Sequence, residues 1–82
     1  MGIFHKHNNG IAEAFEKVMQ LQSRESESDF LDSLNLITVA VEKDDSYTVN
    51  EKLKIYELLS MIANVTRDQR GRYAKRLSRL LA

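Results

Sequence analysis

The chain has no cysteine, no proline and no tryptophan among its 82 residues, and these absences narrow what it can be. Without cysteine there is neither a disulfide framework nor a thiolate metal site, so a covalently braced secreted scaffold is excluded and a cytoplasmic location is expected. Without proline no helix is forcibly broken, and boundaries have to come from capping residues and from the three glycines. No apolar run approaches the roughly 18 residues needed to cross a bilayer. The opening MGIFHKHNNG lacks the apolar stretch of a signal peptide. Gly2 suggests myristoylation only until Lys6 is read, which stands where that motif needs Ser or Thr. A domain of this size buries only about 60 to 65% of the surface its unfolded chain exposes, so its stability is modest unless a partner adds to it.

What is present is helical periodicity divided by polar punctuation. Asn8-Asn9-Gly10 offers a first helix start. After it Ile11, Phe15, Val18 and Met19 recur at helical spacing, with Glu13, Glu16, Lys17 and Gln20 turned away. The stretch from Ser23 opens acid-rich, and Glu27, Asp29 and Asp32 suit the positive end of a helix dipole. Phe30, Leu34, Ile37 and Val41 then follow one face, while Leu36, Val39 and Ala40 carry apolar character further round, so this helix is expected to be the most buried. The rival for residues 34–41 is a strand, because ITVAV is rich in β-branched residues; the lack of strict alternation and of a hairpin turn favours helix.

Lys43 to Tyr47 read as a connecting turn, and Thr48-Val49-Asn50-Glu51 has capping-box form. The apolar residues of the third helix, Leu53, Ile55, Tyr56, Leu58, Leu59, Met61 and Ile62, spread too widely for one stripe. That helix is expected to touch neighbours on two sides or to take part in an oligomer contact. Asn64 suits a left-handed turn, and Thr66 with Gln69 repeats the capping-box spacing. The expected fold is all-α, a compact bundle of four short helices over about 9–23, 28–43, 49–63 and 66–81, with residues 1–8 a flexible N-terminus and residues 9–82 one helical domain. Phe15 and Phe30 belong to the core, Phe4 packs across an end or stays mobile, Tyr56 and Tyr73 bury their rings, and Tyr47 alone is assigned to a turn rather than to the core.

The last helix carries the charge asymmetry of the chain. Residues 1–65 hold six bases against eleven acids, a net −5, whereas residues 66–82 hold six bases against Asp68, a net +5. At about 100° per residue the segment has three faces. Arg72, Lys75, Arg76 and Arg79 form a basic one; Tyr73, Leu77, Leu80 and Leu81 form an apolar one; Gly71, Ala74, Ser78 and Ala82 form a face of small side chains. The apolar face should dock on the domain. The small face would admit another helix backbone, and the basic face would steer association with a partner or a second copy of the chain. The plain alternative is a solvated surface in which Asp68 pairs with Arg72.

The same segment fits a helix-turn-helix pattern in part. With the turn at Asn64, Leu59, Ala63, Val65 and Tyr73 occupy apolar packing positions, Ser60 a small one, and Thr66 opens the reading helix. Arg70 departs from the pattern because that position should be apolar, and Gly71 weakens the helix. A membrane-surface helix fits less well, since large anchors are few. His5 and His7 lie in a terminus without a thiolate or fixed carboxylate beside them, and Asp44-Asp45 lacks the glycine and the final glutamate of a calcium loop, so no metal or cofactor is expected. No nucleophile elbow, phosphate loop or core histidine is present, and the chain is expected not to be an enzyme or to take a small-molecule substrate.

The expected function is therefore a small regulatory or adaptor module that binds a protein or itself through Arg72, Lys75, Arg76, Arg79, Gly71, Ala74 and Ser78. The alternative is a helix-turn-helix-like DNA-binding protein using residues 57–81.

Overall fold

A computed structural model of the chain describes residues 9–82. The expectations for the first eight positions, namely the flexible terminus and the roles of Phe4, His5 and His7, lie outside the described residues. The bundle consists of α1 (Asn9–Leu21), α2 (Glu27–Lys43), α3 (Val49–Asn64) and α4 (Arg70–Leu81), with a 3-10 turn at Arg67–Gln69 leading into α4. Among the described residues there is no strand. The helices close a ring in which α1 and α3 each pack on both α2 and α4.

Each helix is cut by the residues that punctuate it. Ser26 caps α2, its hydroxyl accepting from the Asp29 amide at 3.1 Å, and Glu27 and Asp29 lie in the first turn. Residues 34–41 are helical throughout, which settles the helix-or-strand choice. Leu34, Ile37 and Val41 point inward, and the Thr38 hydroxyl donates to the Leu34 carbonyl at 3.2 Å, a bond that a helix offers a β-hydroxyl. At α3 the capping box is complete. The Thr48 hydroxyl accepts from the Glu51 amide at 3.1 Å, and the Thr48 amide donates to the Glu51 carboxylate at 2.8 Å.

Five local expectations need correction. The first helix ends at Leu21 rather than near residue 23. Burial is shared, since α2 supplies Phe30, Leu34, Ile37 and Val41 while α3 supplies Ile55, Leu58, Leu59 and Ile62. Asn64 is not left-handed: no described non-glycine residue has positive φ, and the Asn64 side-chain amide instead donates to the Ser60 carbonyl at 2.7 Å within α3. The chain leaves the helix through Val65 in extended conformation, φ −91° and ψ 166°. Thr66 makes no side-chain cap; its carbonyl accepts from the Gln69 amide at 3.0 Å, so the turn closes in 3-10 geometry and α4 starts at Arg70, not at residue 66.

Tyr47 is the fifth correction, because it belongs to the core and is only 4% exposed. The Asp44 carboxylate accepts from the Ser46 amide at 2.9 Å, folding the α2–α3 turn back on itself. The Tyr47 hydroxyl then donates to the Leu81 carbonyl at 2.8 Å. That carbonyl is one of those left without an intrahelical partner at the end of α4, so one phenol both buries its ring and satisfies a helix terminus.

Candidate functional site

α4 is held on one side and bare on the other. Leu77 and Leu81 are fully buried, and Tyr73 and Leu80 pack against the core beside them. Rotation by half a turn brings out Arg72, Lys75, Arg76 and Arg79, all four exposed. Among the described residues no ion pair includes any of them, and Asp68 does not pair with Arg72. Asp68 lies in the 3-10 turn that precedes α4, so the two are not spaced on one regular α-helix.

The small-residue face lies toward α1. Gly71, Ala74 and Ser78 line an open groove of about 750 Å³ together with Met19, and its rims carry Glu16 and Gln20 on α1 against Lys75 and Arg79 on α4. A close helix approach at Gly71 is absent, since a β-carbon placed there would meet nothing within 4 Å. The seven sequence-predicted residues thus form a continuous surface: a basic ridge with a groove of small side chains along one flank. On the other flank Arg76 and Arg79 line a second groove with Lys54, Glu57, Leu58 and Leu80.

The residue that positions this ridge is Arg70, and sequence reasoning missed its role. It is 2% exposed, the one charged side chain in the core among the described residues. Its Nε donates to the Ile62 carbonyl at 2.8 Å, its Nη1 to Glu27 Oε1 at 3.3 Å, and its Nη2 pairs with Glu27 Oε2. The guanidinium carbon lies 4.4 Å from the centroid of the Phe30 ring. One side chain therefore ties the negative C-terminal end of α3, through Ile62, to a carboxylate at the positive N-terminal end of α2, and it does so from the first residue of α4. The Glu27 carboxyl is held below its ordinary value of 4.5, chiefly because it accepts hydrogen bonds from Arg70; partial loss of water opposes this, and the charges of Arg70 and Arg67 reinforce it.

A signal for this role was present in the spacing. Arg70 lies three positions before Tyr73 and seven before Leu77, which puts it on the apolar stripe of α4. The position that the helix-turn-helix pattern requires inside is indeed inside, occupied by a neutralised cation. Glu27 and Phe30, far away in sequence, gave no comparable sign. Compared with known proteins, the chain matches no family model, no curated protein and no solved structure.

Proposed function

We propose that the chain is a small non-enzymatic regulatory or adaptor module acting in the cytoplasm, and that it works by protein–protein binding or self-association through the outer surface of α4. The observation that carries this reading is that Arg72, Lys75, Arg76 and Arg79 are exposed and in no ion pair among the described residues, on a helix whose opposite side is locked into the core. Four cations on one rigid ridge raise the encounter rate with an acidic surface, and their contribution falls with salt. The neighbouring groove, with Met19 and Ala74 in its walls, offers the apolar contact that charge alone does not supply. Occupancy of the partner's surface is the mechanism; no covalent step is required.

The test is the double reversal Arg76→Glu with Arg79→Glu. Both side chains project outward, so the expected result is unchanged helicity with weakened partner association or self-association at physiological salt. Unchanged association would sink the reading.

A second reading, a helix-turn-helix-like DNA binder, is favoured by one observation. Arg70, the apparent violation of that pattern, is buried and paired with Glu27. In this reading residues 57–63 support and residues 66–81 read, with the regular helical part beginning at Arg70. Phosphate contacts would make binding steeply salt-dependent. Titration of a labelled duplex across a salt series tests it, and absence of binding at low salt would eliminate it.

A further inference from the structure

The outer face of α3 carries an apolar ridge that the core does not account for, and its Lys54 and Glu57 border the groove that Arg76 and Arg79 of α4 also line. Val49, Leu53, Glu57 and Met61 follow one another at intervals of four, which makes them a single ridge along the helix. Val49 is 74% exposed, Leu53 60% and Met61 38%. Leu53 and Met61 are among the residues that made the apolar pattern of α3 too wide for one stripe, and Val49 adds an exposed side chain at the start of the helix. Beside the ridge stands Lys54. Among the described residues neither Lys54 nor Glu57 enters an ion pair, although both are exposed.

We propose that this face binds the same face of a second copy, with the two α3 helices antiparallel about a twofold axis near Ile55 and Tyr56. The charges choose both the occupant and its direction. In antiparallel register positions whose numbers sum to 111 lie opposite each other, so Lys54 of each copy meets Glu57 of the other, twice over. Leu53 of each copy then lies within a turn of the other's Met61, and the exposed leucine leaves water. The parallel arrangement sets Glu57 against Glu57 and is opposed by repulsion. An acidic or a basic partner would likewise satisfy only one of the two charges, whereas a second copy satisfies both. This dimer places self-association on α3 rather than α4, and it leaves Arg72 and Lys75 uncovered for the protein partner of the α4 reading.

A contact made by one pair of helices buries less than the ~1,200 Å² of a standard interface, so the dimer is weak, with a dissociation constant on the order of 100 µM. Sedimentation equilibrium of the full chain from about 10 µM to 1 mM reads it directly. Leu53→Glu should leave helicity intact and raise the dissociation constant at least tenfold. Lys54→Glu alone and Glu57→Lys alone should each weaken the dimer. The double exchange K54E/E57K should restore it, because exchanging both charges preserves the reciprocal pairs only in the antiparallel register. Arg72→Glu with Lys75→Glu should leave it unchanged. A chain that stays monomeric at 1 mM, a dimer indifferent to Leu53→Glu, or failure of the double exchange to recover what each single exchange loses would overturn the proposal. Loss of the dimer in the Arg72 and Lys75 double variant would move the contact to α4 and overturn it as well.

Discussion

Removal of the Arg70 side chain tests the tertiary structure most severely. In Arg70→Ala the Ile62 carbonyl loses a charged donor, a change of about 1.5–3 kcal/mol. The volume of a side chain 2% exposed is emptied at the junction of three helices, and large-to-small changes in a core typically cost about 2–5 kcal/mol. The two contributions overlap, so we expect a loss of about 3–5 kcal/mol in all. For 82 residues the whole stability is on the order of 4–12 kcal/mol. A single substitution therefore removes a large fraction of it. Arg70→Met separates packing from charge. The methionine refills most of the space, and the Glu27 side chain, 53% exposed, returns to water rather than being stranded. Besides the ion pair with the solvated Glu27, the carbonyl bond and the contact with Phe30 are lost, and these two cost about 1–3 kcal/mol. Urea unfolding followed by circular dichroism measures both. With an m-value of about 1–1.5 kcal/mol/M, the midpoint of Arg70→Ala should fall by roughly 2 M or more. An Arg70→Ala protein within about 1 kcal/mol of the parent would refute the assignment of Arg70 as the junction. A methionine variant as unstable as the alanine one would refute the division between packing and charge.

Three further outcomes follow from the same contacts. Because Arg70 lowers the pKa of Glu27 below 4.5, the pair's contribution is present above that value and is lost as pH falls through the folded-state pKa; the stability difference between the parent and Glu27→Gln should shrink in acid below pH 4.5, and a difference that grows there would contradict the pairing. Tyr47→Phe keeps the ring and removes the donor to Leu81, a loss of about 1 kcal/mol; since burial, with help from Asp44 and Glu51, raises the phenol above its ordinary 10.0, the parent should lose stability as pH rises beyond that value while the phenylalanine variant loses less, both read by urea midpoints. Gly71→Ala meets open space inside α4 and should gain about 0.5–1 kcal/mol by thermal or urea unfolding; a loss of stability would mean that the groove closes on Gly71 in solution.

Much of the bundle was legible because it rests on local rules. The 3.6-residue period of Phe30, Leu34, Ile37 and Val41 marked α2, and the reciprocal bonds available to Thr48 and Glu51 fixed the start of α3 within a residue. The three faces of the last helix could be read from angle alone, and its exposed cations follow from that angle. Where the reading failed, more than one local solution was open. Thr66 could cap a helix, but the residues after it close as a 3-10 turn and α4 starts at the buried Arg70. Asn64 could turn left-handed, but Ser60 one turn earlier offered its side chain a carbonyl.

By itself, then, the sequence determined four amphipathic helices, the order of their caps and a last helix with a basic outer face, because period and capping depend on residues within about one turn of each other. Only the tertiary structure decided that an arginine and a tyrosine belong inside. Burial of a polar side chain depends on whether a partner waits there, and the partners of Arg70 and Tyr47 are Glu27, the Ile62 carbonyl and the Leu81 carbonyl, 43, 8 and 34 positions away. A pattern of neighbours cannot announce such partners. Closure of the ring of helices brings them together and leaves the basic face of α4 exposed.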